Sequence, residues 1–178
     1  RKLKVTELKR ISVRQFKEVE KLPLVIVLDN IRSVYNVGSV FRCADAFRIK
    51  KIILCGITAQ PPQAEIHKTA LGAEDSVEWT YYKDTLQAVE DLKKEDYRIT
   101  AVEQVEHSVK LDEWKIIPYK PYALVLGNEV KGVQQTVVDC CHESLEIPQF
   151  GTKHSINVSV AAGIVVWEFA KSLLLPGK

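Results

Sequence analysis

Six short apolar runs divide the chain, and several of them contain no polar residue between their apolar ones. They are LVIVLD (24–29), KIILCG (51–56), VEWTYY (77–82), YRITAVE (97–103), YALVLG (122–127) and SLEIP (144–148). Uninterrupted apolar runs are typical of strands that are buried on both faces, and such strands belong to parallel sheets covered by helices. The pattern therefore predicts an α/β domain with a mostly parallel sheet flanked by helices.

Segments that favour helices lie between the apolar runs. The predicted helices cover residues 36–47, 64–71, 84–94, 133–140 and about 155–174, and a leading helix covers about 6–21. No repeat, low-complexity tract or linker interrupts this order, so the sequence favours one α/β domain. We expect this domain over residues 23–178 and a basic helical extension over residues 1–22.

The last predicted helix is apolar around its whole circumference. Its apolar residues include Val158, Val160, Ala161, Ala162, Ile164, Val165, Val166, Trp167, Phe169 and Ala170. A helix of this kind is buried on nearly every side, either between the sheet and other helices or with one face on a second subunit. The small residues Ser159, Ala162 and Gly163 would let another helix approach closely.

Composition adds little about function, but the distribution of charge adds more. With 178 residues, 46% hydrophobic and 27% charged, the chain has ordinary globular composition, and its net charge of +2 neither demands nor excludes a polyanionic partner. The first twenty residues carry much of the excess positive charge: Arg1, Lys2, Lys4, Lys9, Arg10, Arg14 and Lys17. This end is either a solvated amphipathic helix or an arm that faces a polyanion.

The cysteines and the apolar segments indicate the compartment. Cys43, Cys55, Cys140 and Cys141 lack the spacing of a zinc site, and the adjacent pair is poorly placed for a structural disulfide. No signal peptide is recognisable, and polar residues interrupt the apolar stretch 158–170, which is also too short to span a bilayer. We expect a cytoplasmic protein with neither a membrane segment nor a metal.

Three polar, glycine-bearing loops follow predicted strands: DNIRSVYNVGS, GNEVKGV and QFGTKHSINVS. In parallel α/β sheets, ligands bind beyond the carboxyl ends of the strands. The second loop matches neither GxGxxG nor GxxxxGK[ST], so a dinucleotide or P-loop site lacks its fingerprint. Each loop alone also has an ordinary interpretation: tight turns at Gly127 and Gly132, solvated charges at Glu129 and Lys131, and a helix cap at Asn36, Ser155 or Asn157.

Together, the motifs are more specific. Three segments resemble, in this order, the three motifs of the SpoU/TrmH branch of SPOUT RNA ribose 2'-O-methyltransferases. They are NVGSVFRCADAF, LVLGNEVKGV and LEIPQFGTKHSINVSVAAGIVVWEFA. The resemblance covers about residues 24–171. It implies a SPOUT-type fold whose deep C-terminal trefoil knot forms the pocket for S-adenosyl-L-methionine, although the general rule for folds is strongly against knots.

The resemblance also implies site residues. The cofactor would be bound by Leu126, Gly127, Ile147, Ser155, Ile156 and Asn157, with Glu103 and Gln104 as weaker candidates. The catalytic candidates are Arg42, Asn36, Glu129 and Asn157, and the candidates for RNA binding are Arg32, Arg42, Arg48 and Lys153. No metal is implied.

The chemistry constrains the role of Arg42. When a ribose 2'-hydroxyl attacks a sulfonium methyl group, the enzyme has to align the reactants and allow the proton to leave. A guanidinium is a poor base, because deprotonating an ordinary arginine near neutral pH costs roughly 7 kcal/mol. We therefore favour a charged Arg42 that stabilises the alkoxide while water or phosphate takes the proton, and Arg42 as a transient base stays open. Of the four histidines only His154 lies in a motif, where an ordinary loop residue is the simpler interpretation.

Family members act as homodimers in which the arginine of one subunit completes the site of the other. A compact enzyme with a helical extension resembles the transfer-RNA members, whose best-known target is a guanosine in the D loop, and ribosomal RNA is the alternative. Two other functional classes make different demands on the sequence. A binding-only RNA chaperone of the same fold would have lost its cofactor affinity, and an NAD-dependent oxidoreductase would need the fingerprint that is absent.

Overall fold

The computed structural model describes residues 1–175, apart from the side chain of Val5. Seven strands lie in this part of the chain: β1 (Leu22–Asp29), β2 (Ile49–Cys55), β3 (Trp79–Tyr82), β4 (Arg98–Val102), β5 (Val109–Lys110), β6 (Tyr122–Gly127) and β7 (Glu143–Glu146). They form one sheet in the order β3-β2-β1-β6-β4-β7-β5, and every neighbouring pair is parallel. The predicted fold class, a parallel sheet flanked by helices, is confirmed.

The helices of the described part connect these strands. They are α1 (Val13–Glu18), α2 (Val34–Ala46), α3 (Ala64–Ala70), α4 (Ala73–Ser76), α5 (Thr85–Lys94), α6 (Gln135–Cys140) and α7 (Val158–Leu174), with 3-10 helices at Val5–Leu8 and Leu111–Glu113. The six predicted strands and five internal helices are present with small shifts of their ends. The short elements β5 and α4 were not predicted.

The predicted leading helix over residues 6–21 is wrong. The first 3-10 helix ends at Leu8 and is followed by Lys9, whose φ of 48° is left-handed, and α1 begins only after Ser12. The Ser12 hydroxyl accepts a hydrogen bond from the Gln15 N–H, and the Gln15 side chain accepts one from the Ser12 N–H. This capping box starts a new helix and so replaces one long helix with two short ones.

The sheet separates two apolar layers. Alternate residues of β1 point to opposite faces, so Leu24 and Ile26 pack with α2, α3 and α7, whereas Val25 and Val27 pack with α5 and α6. Both sets are fully buried, which explains the uninterrupted apolar runs. Within the first layer α2 lies tight against α3, because a Cβ on Gly38 would come within 2.4 Å of the Ile66 carbonyl oxygen. This contact fixes the helix that carries the first motif.

The helix α7 is buried on one side only. Val165, Val166 and Phe169 are buried in the core, but Val160 and Trp167 on the other side are about half exposed. The predicted placement of the helix between the sheet and other helices is therefore wrong, because the sheet covers only one face, and the placement of one face on a second subunit stays a prediction. An apolar face of α7 faces solvent.

Neither a membrane segment nor a metal cluster occurs in the described part of the chain. None of the described helices combines the length and the apolar composition that crossing a membrane requires. In residues 1–175, no group of three or more His, Cys, Asp or Glu side chains could hold a metal ion. The four cysteines are free thiols.

Candidate functional site

The carboxyl ends of β4, β6 and β7 border a cavity of about 610 Å³. All eight residues that the resemblance names for the cofactor line this cavity: Glu103, Gln104, Leu126, Gly127, Ile147, Ser155, Ile156 and Asn157. Residues that are up to 54 positions apart in the sequence, from 103 to 157, thus meet at one edge of the sheet. Glu129 also lines the cavity.

Glu129 links the loop after β6 to the loop after β1. Its Oε2 accepts a hydrogen bond from the Arg32 N–H at 2.8 Å, and its Oε1 accepts bonds from the Ser33 N–H at 2.9 Å and the Asn36 side-chain amide at 3.0 Å. Partial burial by itself raises the pKa of Glu129, but these donors together hold that pKa below its ordinary value. The residue is therefore a structural acceptor and not a solvated loop charge.

Asn36 carries the link on to the third loop. Its Oδ1 accepts a hydrogen bond from Asn157 Nδ2 at 3.1 Å, while Asn157 Oδ1 caps α7 by accepting from the Ser159 N–H at 2.9 Å. The N-cap of α2 is Ser33, so Asn36 is not a cap and its side chain is free to bridge. We call the series Glu129, Asn36 and Asn157 the polar bridge, because it joins all three motif loops.

Asp29, at the carboxyl end of β1, holds the loop after β6, and the sequence did not predict it as a site residue. It is fully buried, and its carboxylate accepts hydrogen bonds from Thr85 Oγ1 at 2.6 Å, from the Gln134 N–H at 2.9 Å and from Gln134 Nε2 at 2.7 Å. These bonds anchor the end of the loop after β6. The available signal was an acidic residue that ends an otherwise apolar strand, since a buried carboxylate needs several donors.

Glu103 anchors the same loop from the other side. Its Oε2 accepts a hydrogen bond from the Val133 N–H at 3.0 Å, and Gly132 has a φ of +68° where it passes this carboxylate. A Cβ on Gly132 would lie 2.1 Å from Glu103 Oε2, so only glycine fits there. Glycine is required here by both the backbone conformation and the close approach.

Arg42 lies on the exposed side of α2, outside the residues that line the cavity. In residues 1–175 its guanidinium forms neither a side-chain hydrogen bond nor an ion pair, so it is available to a partner or a ligand. Burial raises the pKa of the neighbouring Cys43 thiol to about 11, which favours its protonated form near neutral pH.

The candidates for RNA binding are not all in one place. Arg32 and Lys153 are exposed on motif loops, and Arg32 lies beside the polar bridge. Arg48 lies beyond the far end of α2, where its carbonyl accepts from the Leu22 N–H at the amino end of β1. It borders a separate cavity of about 380 Å³ at that opposite edge. A still larger cavity of about 770 Å³ at the amino ends of the strands contains none of the candidate residues.

Comparison with known sequences identifies related proteins. A model of the SpoU rRNA Methylase family matches residues 23–167. The 23S rRNA (guanosine-2'-O-)-methyltransferase RlmB of Nitrosomonas europaea is 30% identical over 166 residues, which cover 92% of this chain and 63% of that protein. The tRNA (guanosine(18)-2'-O)-methyltransferase of Aquifex aeolicus is 29% identical over 160 residues, which cover 88% of this chain and 72% of that protein. The chain thus spans less than two thirds of the first relative.

Solved structures share the fold. The TrmH/SpoU tRNA modifying enzyme of A. aeolicus superposes with a TM-score of 0.77 at 26% identity, covering 89% of this chain and 81% of that one. An rRNA methyltransferase from Sinorhizobium meliloti with bound AdoMet superposes with a TM-score of 0.78 at 25% identity, covering 89% of this chain and 60% of that one.

The polar bridge predicts a stability effect for Glu129→Gln. The glutamine amide has one oxygen and one NH2 group, so its NH2 group would face an N–H donor that the carboxylate accepts from in the wild type. We therefore expect the free energy of unfolding at pH 7 to fall by about 1–3 kcal/mol. The pKa of Glu129 is lowered in the folded chain, so its contribution is present above the ordinary value of 4.5 and is lost as pH falls through the folded pKa. Urea denaturation of both proteins at neutral and acidic pH measures this, and the difference should shrink in acid.

The matched control is Glu106→Gln, because Glu106 is exposed and its carboxylate accepts no hydrogen bond in residues 1–175. Its stability should equal that of the wild type at both pH values. Equal stability of the two variants at pH 7 would contradict a structural role for the Glu129 carboxylate.

Proposed function

Because the chain belongs to the SpoU methylase family, we propose that it transfers a methyl group from S-adenosyl-L-methionine to a ribose 2'-hydroxyl of structured RNA. The polar bridge is the observation that carries the proposal, since it gathers all three motif loops around one cavity. Both relatives described above are named as guanosine 2'-O-methyltransferases of RNA.

The cavity suits the proposed cofactor. A volume of about 610 Å³ lies within the range of small-molecule sites, and Leu126, Ile147 and Ile156 give it apolar walls. Exposed backbone groups of the loops would bind the polar ends of the cofactor, with Gly127 and Ser155 beside them. We propose that the loops after β6 and β7 form the trefoil knot, and the hydrogen bond from Gln104 Nε2 to the His154 carbonyl at 2.9 Å agrees with a closely packed arrangement.

The proposed mechanism assigns the charge to Arg42. S-adenosyl-L-methionine, when bound, supplies an electrophilic methyl group, so the protein has to align the ribose and stabilise the charge on its 2'-oxygen. A guanidinium that has no side-chain partner within residues 1–175 fits that task, while the proton passes to water or to an RNA phosphate. Asn36 and Glu129 act by holding the loops, and Asn157 fixes the start of α7 beside the cavity.

We propose that the exposed apolar face of α7 is the interface of a homodimer. Val160, Ile164 and Trp167 are exposed on this face, and Trp167 packs on Phe47 at the end of α2 with ring centroids 5.9 Å apart. The interface would therefore lie next to the helix that carries Arg42. That position supports a site in which Arg42 of one subunit serves the cavity of the other.

For the substrate we propose transfer RNA, with a D-loop guanosine as the specific target, and a cytoplasmic site of action. The A. aeolicus relative carries this choice, since its name gives guanosine 18 of tRNA. Ribosomal RNA is the second candidate, favoured by the N. europaea relative, which matches 92% of this chain. Arg32, Lys153 and the basic residues 1–22 would bind RNA phosphates, and Arg48 would require an RNA that reaches the opposite edge of the sheet.

Arg42→Lys tests the proposed role of the guanidinium. Lysine keeps the charge but loses the planar fork, so we expect kcat for methyl transfer to fall by about tenfold or more, as for other lost charge-stabilising donors. The affinity for S-adenosyl-L-methionine, measured by calorimetry, should not change, because the proposed contact of Arg42 is with the ribose 2'-oxygen and not with the cofactor. Turnover near that of the wild type would exclude a specific guanidinium role.

Charged substitutions on the exposed face of α7 test the proposed dimer. Trp167→Glu and Ile164→Glu each place a charge on the exposed face of α7, so both should shift the protein to a monomer in analytical ultracentrifugation. Because the site would then lack the arginine of the partner, methyl transfer should fall in the same variants. Two variants are used because Trp167 also packs on Phe47, and dimers in both cases would rule out this interface.

Mapping of ribose methylation tests the proposed methyltransferase activity itself. Ribose methylation is mapped in transfer and ribosomal RNA from cells that lack this gene and from wild-type cells, and one methylated site should be lost. A loss in ribosomal RNA alone would support the second candidate, and no loss in any RNA would contradict methyl transfer. Calorimetry with S-adenosyl-L-methionine and NAD separates the other classes: no cofactor binding indicates a chaperone, and NAD binding indicates an oxidoreductase.

A further inference from the structure

The outer wall of the cavity is the segment between β7 and α7. Its residues from 149 to 155 are all exposed, and Gln149, His154 and Ser155 line the cavity. In the described part of the chain, the one hydrogen bond from residues 149–155 to another segment joins Gln104 Nε2 to the His154 carbonyl. The backbone of this segment is therefore free to adjust to a ligand at the mouth of the cavity.

Phe150 lies on this segment with its ring in water. The side chain is 97% exposed, whereas Phe16, Phe41 and Phe169 are almost fully buried and Phe47 packs against the core. An aromatic ring is costly to leave in water and is strongly stabilised by a flat apolar partner. Phe150 directly follows Gln149, which lines the cavity, so a partner of the ring would lie at the entrance.

The surroundings of Phe150 favour an RNA base over a protein surface. Its sequence neighbours Gln149, Gly151, Thr152 and Lys153 are exposed and not apolar, so the ring is the one apolar side chain of residues 149–153. Lys131, which lines the same cavity, is an exposed cation, whereas the glutamates on the cavity wall accept hydrogen bonds from the protein. A single aromatic face with nearby cations is the arrangement that binds an unpaired base and its phosphates.

On the basis of the proposed function, we propose that Phe150 stacks on an unpaired base next to the methylated ribose. The faces of a base are covered by its neighbours in a continuous helix, so stacking on Phe150 requires the base to be unstacked. The substrate nucleotide thus lies in a loop, bulge or single-stranded segment. Gly151, with no atom within 4 Å of an added Cβ, leaves the loop room to follow the base.

The test compares Phe150→Ala, Phe150→Leu and Phe150→Trp with Tyr119→Ala. Tyr119 is a matched control, because it is 99% exposed and precedes the amino end of β6, at the edge of the sheet opposite the cavity. With RNA from cells that lack the gene as methyl acceptor, Ala and Leu at position 150 should lower kcat/KM by about tenfold, as expected for a lost base stack. Trp should preserve it, and the affinity for S-adenosyl-L-methionine should be unchanged throughout.

A binding measurement separates this proposal from the proposed function. Fluorescence anisotropy measures the affinity of the protein for a labelled single-stranded oligoadenylate and for the duplex that it forms with oligouridylate. This measurement does not depend on methyl transfer. The wild type and Phe150→Trp should prefer the single strand, and this preference should fall by about tenfold in Phe150→Ala. A protein without methyltransferase activity that keeps this preference would contradict the proposed function but not the role of Phe150.

Three results would overturn the stacking role. Full activity of Phe150→Leu would show that any apolar side chain suffices. Conversion of Phe150→Ala to a monomer in analytical ultracentrifugation would show that the ring contacts a second subunit. An equal loss of single-strand preference in Tyr119→Ala would show that the effect is general to exposed aromatic residues.

Discussion

The three hydrogen bonds that Glu129 accepts determine how the loops of the site are arranged. Strands β1 and β6 are neighbours in register, with Asp29 opposite Gly127, so the loops that follow them leave the sheet side by side. Two parallel loops have no backbone ladder of their own, and a carboxylate that reaches across can satisfy the free N–H groups at the start of α2. Because the three donors are neutral, the carboxylate is stabilised by dipoles and not by a cation.

A second carboxylate, which is fully buried, makes this arrangement rigid. Asp29 accepts from both the backbone and the side chain of Gln134, so the end of the loop after β6 is bound to the end of β1. The start of that loop is bound to Asn30, the residue that follows Asp29, because Asn128 Nδ2 donates a hydrogen bond to the Asn30 carbonyl at 2.7 Å. With both ends fixed, Glu129 projects at a defined distance from α2, and the polar bridge can reach Asn157.

The sequence predicted what depends on local pattern. The strands were predictable because apolar runs such as residues 24–28 are buried on both faces, and the motif loops because they follow those strands. The strand β5 is only two residues long and carries no pattern, and the leading helix failed because Ser12 and Gln15 form a cap that outweighs the helical spacing around it. The contact between Asn36 and Glu129 joins residues 93 positions apart, and no local preference encodes such a partner.

The two walls of the cavity differ in stiffness, and this difference bears on how a large substrate could be bound. On one side, the buried carboxylate of Asp29, the carboxylate of Glu103 and the polar bridge fix the loop after β6 and the start of α2, so groups there keep their positions without a ligand. On the other side, residues 149–155 form a single hydrogen bond to another described segment. Ordering them costs conformational entropy, which the binding of a partner has to offset. For the proposed methyl transfer, a fixed wall would preserve the alignment of the reactants, and a yielding wall would admit a bulky nucleotide. Such a site would gain specificity from the ordering step, because a ligand that fails to engage the yielding wall would not offset the entropy of ordering it.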